Sequence, residues 1–384
     1  MRRYIGKIIL IFVFLFLVVA IYFIFFHRNQ SPSYIDTINA MDVSTSNIFA
    51  VGTNNANDKE LSKAKFAKYD FNRQKIFEKV YNKGYRSNFN DVLFDEDDVV
   101  LVGSYESSKK DHQNSISTAI ILKYDTDGNL LFEKEYTILS DTEFFRVLSM
   151  DYGYLAIGTG KNKSGKKVAV LVKYGNNGAV EWNVTFDKEE NVEFQDAIIY
   201  NNFIYIVGRA DNHMGVLAKY NIDGNLVQYI TNNQVDSLGF SSITQVNDSL
   251  VVTTGLQESD SSVVPMLIRY NLDLGFINEA TYSMQYPARF QKVITDSNNN
   301  LVVFGTAYEK QDGKVIHHSF IGKYRSDLTE VQVVNYYNES DDYFTDVVAV
   351  DDSYLVSGYS FYSGEGYFSK FMTYSEALKL LEVK

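Results

Sequence analysis

Seven times along the chain a short apolar run ends in glycine: FAVG at 49–52, VLVG at 100–103, LAIG at 155–158, YIVG at 205–208, VTTG at 252–255, VVFG at 302–305 and LVSG at 355–358. The steps between these glycines are 51, 55, 50, 47, 50 and 53 residues. Upstream of each, at a gap of 14 residues in five copies and 15 in two, stands an apolar residue: Ile38, Phe89, Phe144, Phe194, Phe240, Phe290 and Phe344. So constant a gap predicts a tight antiparallel hairpin, because one inserted residue would turn every side chain to the opposite face of the sheet.

Downstream of each glycine, a third segment ends in a basic–aromatic pair. The pairs are Lys68–Tyr69, Lys123–Tyr124, Lys173–Tyr174, Lys219–Tyr220, Arg269–Tyr270, Lys323–Tyr324 and Lys370–Phe371. The glycine-to-aromatic distance varies from 12 to 21 residues, which marks an exposed connection where insertions cost little. Polar turns follow, such as DTDGN at 125–129 and NIDGN at 221–225, and lead into a fourth segment such as LLFEKEY at 130–136. Four strands per repeat and a period near fifty predict an all-β, seven-bladed β-propeller of four-stranded antiparallel blades. A solenoid is the structural rival, but it leaves two open ends and no capping helix is visible. Blade 1 begins near Ile35 with an innermost strand and blade 7 ends near Val383 with an outermost one. Closure is therefore expected from face-to-face packing of the two, with pairing of 31–34 to the last blade left open.

One further apolar run does not belong to the repeat. Ile8 to Phe26 is nineteen residues without a charge, long enough as a helix to cross a bilayer. Arg2, Arg3 and Lys7 precede it, which places the N-terminus in the cytoplasm. The expected organisation is a cytoplasmic tail (1–7), a single transmembrane signal anchor (8–26), a linker (27–34) and an extracytoplasmic propeller (35–384). A cleaved signal peptide, cut after Val18-Val19-Ala20, is the competing reading; Ile21 to Phe26 staying apolar past the cut argues against it.

The pattern F-x-x-V, then YLxxG, LxKYDxxGN and LxxEKxY, resembles the repeats of bacterial exported and surface-attached β-propellers, many of unassigned function. The resemblance covers about residues 35 to 384 and implies architecture, not activity. GNNGAVEW at 175–182 is weakly similar to quinoprotein-type repeats, but only one of seven copies has the tryptophan, Trp182.

Charge narrows the partners. The chain carries 36 Lys+Arg against 48 Asp+Glu, a net of −12, and without the first thirty residues the balance is −16. So acidic a body repels phosphate backbones, so no nucleic-acid partner is expected. With no cysteine there is no disulfide, thiolate nucleophile or thiolate zinc site. No nucleophile elbow, phosphate loop or HExxH appears, so no catalytic residue, metal site or cofactor is assigned. The histidines His27, His112, His213, His317 and His318 are expected as solvated imidazoles in or near loops. The turn at Asp125–Asn129 and the cluster Asp95-Glu96-Asp97-Asp98 are expected as turns, since Asp, Asn and Gly suit a tight strand connection.

The candidate site comes from aligning the innermost strands. Two residues past the repeated apolar position stand Ala40, Asp91, Arg146, Asp196, Ser242, Lys292 and Asp346; one residue earlier stand Asn39, Asn90, Phe145, Gln195, Ser241, Gln291 and Thr345. In a closed ring these positions circle the central channel. Asp91, Arg146, Asp196, Ser242, Lys292 and Asp346 are therefore the candidate ligand-binding ring, against the plainer alternative that its charges pair around a watery channel. The expected function is a membrane-anchored, extracytoplasmic module of the cell envelope that binds a ligand or protein or serves as a scaffold, with a protein or glycan partner; a structural component of an envelope assembly, using blade edges and variable loops, is the first rival. The alternative is an envelope enzyme, quinoprotein-like or polysaccharide-active, with its site at the channel mouth.

Overall fold

Each of the seven repeats forms four antiparallel strands, spanning 34–81, 86–136, 140–186, 193–232, 242–281, 288–336 and 341–383. The computed structural model describes residues 34–55, 61–107, 116–211, 214–232, 239–259, 262–311, 313–336, 340–363 and 365–384. The tail, the anchor Ile8–Phe26 and all of the linker except Tyr34 lie outside the described residues. Among those described, no helix is long and apolar enough to cross a membrane.

The constant Phe-to-Gly spacing has a specific cause. In six of the units the first strand carries a β-bulge immediately after the residue that faces the repeated glycine: Ile38 faces Gly52 and Ala40 faces Val51, while Asn39 is skipped. Asn90, Phe145, Gln195, Gln291 and Thr345 are skipped in the same way. A bulge turns two consecutive side chains toward the same side and kinks the strand. The kink drives the preceding carbonyl into the partner strand, where only a residue without Cβ fits. A Cβ at Gly103 would lie 2.0 Å from Asn88 O, and one at Gly158 would lie 1.9 Å from Glu143 O. The repeated glycine is thus required by close approach, not by a left-handed backbone.

Seven hydrophobic clusters hold the units together, each shared by two successive ones. Phe49, Val51 and Phe66 of the first pack on Phe89, Leu101 and Ile120 of the second, and the series runs on through the rest. The last cluster joins Leu355 and Phe371 of the seventh to Ile38, Met41, Ile48 and Tyr69 of the first. The units therefore close a circle.

Closure also involves strand pairing, unlike the expected face packing alone. The first strand, Tyr34–Val43, pairs in parallel with the third strand of unit 7, Gly366–Ser375, through Tyr34–Gly366 and Ile35–Tyr367. The outermost strand of unit 7, Leu380–Val383, pairs with Met372–Tyr374 of that edge, and Lys384 after it exchanges two backbone hydrogen bonds with Phe371. The incoming chain covers part of the remainder, and units 7 and 1 share one eight-stranded sheet. The other units are separate four-stranded sheets.

One register differs from the sequence reading. In unit 7 the residue equivalent to Tyr69, Tyr124 and Tyr174 is Tyr374, facing Tyr354, and not Phe371. The pair there is Thr373–Tyr374. Lys370 is instead a buried cation on the carboxylate of Asp342. Lys68, Lys219 and Lys323 reach the next unit, at Thr126 O (2.8 Å), Leu272 O (2.9 Å) and Glu376 O (3.3 Å), and Lys123 lies over the Tyr154 ring of the next. Lys173 and Arg269 stay within their own units, on Asp151 O and Ser249 Oγ, so four of the basic residues tie neighbours together and two brace their own sheet.

Candidate functional site

Because the bulge aims two consecutive residues inward, both aligned sets line one cavity of about 330 Å³ on the axis. The six candidates Asp91, Arg146, Asp196, Ser242, Lys292 and Asp346 all lie in it, as does Ala40. It opens toward the face that carries the hairpins between second and third strands. A second cavity of about 360 Å³ occupies the opposite half of the channel and is lined mainly by Met41, Val92, Leu93, Val147, Leu148, Ile294 and Val347. Arg146 and Lys292 line both, so the charged ring is the waist between a polar upper chamber and an apolar lower one.

The charges of the waist engage one another. Arg146 Nη1 lies 3.2 Å from Asp91 Oδ1, and its Nε lies 3.1 Å from Asp196 Oδ1. Lys292 pairs with Asp346. The carboxylates also reach across to the next unit. Asp91 accepts the backbone N–H of Val147 at 2.8 Å, Asp196 that of Ile243 at 3.2 Å and Asp346 that of Met41 at 2.9 Å, while Ser242 Oγ accepts that of Val293 at 3.3 Å. Where the ring residue is a cation with no acceptor to offer, the next aspartate takes its own following N–H instead: Ala197 to Asp196 and Val347 to Asp346, at 2.9 and 2.8 Å.

Burial pushes the Asp91 carboxyl up to about 6, against the pull of Arg146 and Lys292. Burial opposes the Arg146 charge, yet Asp91, Asp196, Asp346 and Asp42 outweigh it and hold the guanidinium more firmly protonated than usual. The aspartates are therefore clasps between units. Replacing Asp196 and Asp346 together removes inter-unit hydrogen bonds, and does not leave folding untouched as a pure ligand site would.

Above the waist the chamber has aromatic walls. Phe145 projects from unit 3, and Tyr343 and Tyr359 come from unit 7. In a ring of seven, unit 3 stands across from units 6 and 7, so Phe145 and the two tyrosines line opposite sides of the chamber. Tyr343 and Tyr359 stack with centroids 5.0 Å apart, and Tyr343 Oη lies 2.9 Å from His317 Nδ1. Sequence alignment of innermost strands includes Phe145 but not this far wall. Tyr359 belongs to a second strand and Tyr343 precedes the aligned positions.

The histidines differ from expectation. His317 and His318 are strand residues of an extended hairpin in unit 6, Leu301–Gln311 and Lys314–Tyr324. His318 is buried, with Nε2 2.9 Å from Glu309 Oε2. His27, His112 and His213 fall outside the described residues. Asp125 accepts Asn129 N–H at 2.7 Å and its side-chain amide at 2.8 Å, the bonding of a turn. Asp98 pairs with Lys123 at 2.5 Å, and Asp95 accepts from Ser149. Among the described residues no group of three or more acidic or histidine side chains is arranged to hold a metal ion.

The arrangement of four-stranded units around a common axis defines a β-propeller. Solved structures with this fold resemble the chain at low identity. It matches the Dos1 propeller with 10% identity and TM-score 0.54, over 92% of this chain and 85% of that one. It matches a prolyl endopeptidase with 11% identity and TM-score 0.56, over 92% and 50% of the two chains. A puromycin hydrolase matches with 9% identity and TM-score 0.55, over 92% and 56%. The chain thus spans about half the length of the latter two. No family model and no curated protein matches the sequence. These likenesses establish the fold alone.

Proposed function

We propose that this propeller is a ligand-binding module whose site is the upper chamber. The observation that carries the reading is the bulge, repeated in six units, which presents a second inward side chain per unit and builds a polar chamber with opposed aromatic walls. The engagement of Asp91 and Asp196 with Arg146 and with backbone N–H groups of the next unit gives both carboxylates a structural task, which supports a binding reading over a hydrolytic one. The apolar run Ile8–Phe26 with Arg2, Arg3 and Lys7 before it supports a membrane tether and an extracytoplasmic propeller.

The test is to equilibrate the full chain with a low-molecular-weight envelope extract, wash it, and identify retained compounds by mass spectrometry. Thr345→Trp, which plugs the chamber, serves as the comparison. A compound held by the unmodified chain and lost from Thr345→Trp supports the site. Equal retention by both places binding elsewhere.

A further inference from the structure

The polar layer of the chamber divides into a committed part and an uncommitted part. Asn39 Nδ2 donates to Asn88 Oδ1 and Phe89 O at 2.7 and 2.8 Å, and Asn90 Nδ2 donates to Glu143 Oε1 and Phe144 O at 2.9 and 2.8 Å. Ser241 Oγ reaches Phe290 O at 3.2 Å. These three side chains repeat one clasp, each onto the next unit's conserved-register aromatic carbonyl. Gln195 and Gln291 do not. Gln195 makes a long 3.4 Å contact with Glu193, and Gln291 accepts from Thr306 at 3.1 Å while its Nε2 donates to nothing among the described residues.

The two uncommitted amides flank a gap. The first strand of unit 5 begins at Ser242, two residues past Phe240, later than in any other unit. Beside it a notch of about 270 Å³ opens from the chamber, lined by Gln195, Arg209, Thr254, Arg289 and Gln291 among others. Gln195, Ser241 and Gln291 line both spaces, so they are continuous. Arg209 is engaged with Glu193, at 2.8 Å from Nε and 2.7 Å from Nη2. Arg289 is exposed, its guanidinium 5.9 Å from the Tyr308 ring centroid, and it has no ion-pair partner among the described residues. The notch therefore holds a cation and an amide donor that lack an acceptor.

Two donors without an acceptor call for an anion, and a guanidinium beside an amide suits a carboxylate. The long-range field of a chain with net charge −12 repels anions, so recognition here is a short-range match rather than attraction from a distance. The body attached to that carboxylate must fill a chamber with aromatic faces on opposite sides and amides between them. A pyranose offers apolar C–H faces to the rings and hydroxyls to the amides. An extended peptide would need backbone partners on the inward edges of the innermost strands, and many of these are taken: the carbonyls of Phe89, Phe144 and Phe290 by Asn39, Asn90 and Ser241, and the N–H groups of Val147, Ile243 and Met41 by Asp91, Asp196 and Asp346.

We infer that the ligand is a saccharide unit bearing a carboxylate, with its ring between Phe145 and the Tyr343–Tyr359 pair and its carboxylate on Arg289 and Gln291 Nε2. This rests on the chamber being the binding site. The test is ligand-observed NMR titration of the full chain with D-glucuronate, D-glucose and the tripeptide Ala-Ala-Ala. Glucuronate is expected to bind at least about tenfold more tightly than glucose, and Arg289→Gln to bring glucuronate down to the level of glucose. Equal affinity of the two sugars for the unmodified chain overturns the carboxylate assignment. Tighter binding of the tripeptide overturns the sugar in favour of a peptide terminus. Failure of all three probes overturns the inference alone if the Thr345→Trp comparison is positive, and the chamber reading with it if that comparison is negative.

Discussion

Asp346, in the last unit of the ring, accepts the backbone N–H of Met41 in the first at 2.9 Å, across 305 residues of sequence. The same carboxylate holds Lys292 and is 2% exposed. Asp346→Ala leaves a buried N–H and the partly buried Lys292 ammonium without their acceptor, and is expected to cost about 3 kcal/mol. Asp346→Asn keeps an oxygen for the N–H and should cost less. Urea unfolding of both variants checks the order, with exposed Asp187→Ala expected within about 0.5 kcal/mol of the unmodified chain.

The repeated glycines give a contrast within one blade. A Cβ at Gly158 meets Glu143 O at 1.9 Å, so Gly158→Ala must move backbone and is expected to lose more than about 3 kcal/mol. Gly165 sits at φ +79° with open space around it, and Gly165→Ala should cost only about 1 kcal/mol. Thermal unfolding of the pair separates close approach from backbone conformation.

Trp182, the single tryptophan, packs from unit 3 onto the turn of unit 4, where a Cβ at Gly224 would lie 3.0 Å from its ring. Phe132 takes the same place against Gly178, and Phe77 against Gly128. Trp182→Phe should therefore cost less than about 1 kcal/mol, and Trp182→Ala about 2. Gly224→Ala should shift the tryptophan emission even where unfolding is little changed.

Stability should also carry the signature of Asp91. Its folded-state pKa, raised to about 6 by burial, exceeds its unfolded value, so the folded protein holds this proton more tightly. The stabilisation from that proton is full below about pH 4 and is lost as pH rises through about 6. In Asp91→Asn that decline should disappear. The check is the difference in unfolding free energy between the two proteins, followed from pH 4 to pH 7.

The ring positions were legible because hairpin spacing is unforgiving: a gap of 14 or 15 residues from Phe to Gly fixes which side chain comes two places later. All six candidate residues consequently line one cavity. The bulge was not legible, although its mark, an obligatory glycine opposite, was in plain view; alternation would have sent Asn90 and Asp91 to opposite faces. The register of unit 7 was misread because Lys370–Phe371 imitates the basic–aromatic pair, while the true equivalent, Tyr374, follows a threonine. Tyr359 and Arg289 enter the site through tertiary geometry, one from a second strand and one beside a late-starting strand. Nothing in their local sequence distinguishes them from surface residues.

Closure of the ring creates the chamber, and the cysteine-free chain permits a direct measurement of it. Lys384 Nζ donates to Asn72 O at 3.2 Å, joining the last unit to the first across 312 residues. With Asn72→Cys and Lys384→Cys introduced together, a short bifunctional thiol reagent is predicted to join the two within one molecule, giving a looped chain of altered gel mobility under native conditions and not in urea. Reagent attached to each thiol separately without joining them, or joining only between molecules, would mean that the first and last units lie apart and that no closed chamber exists.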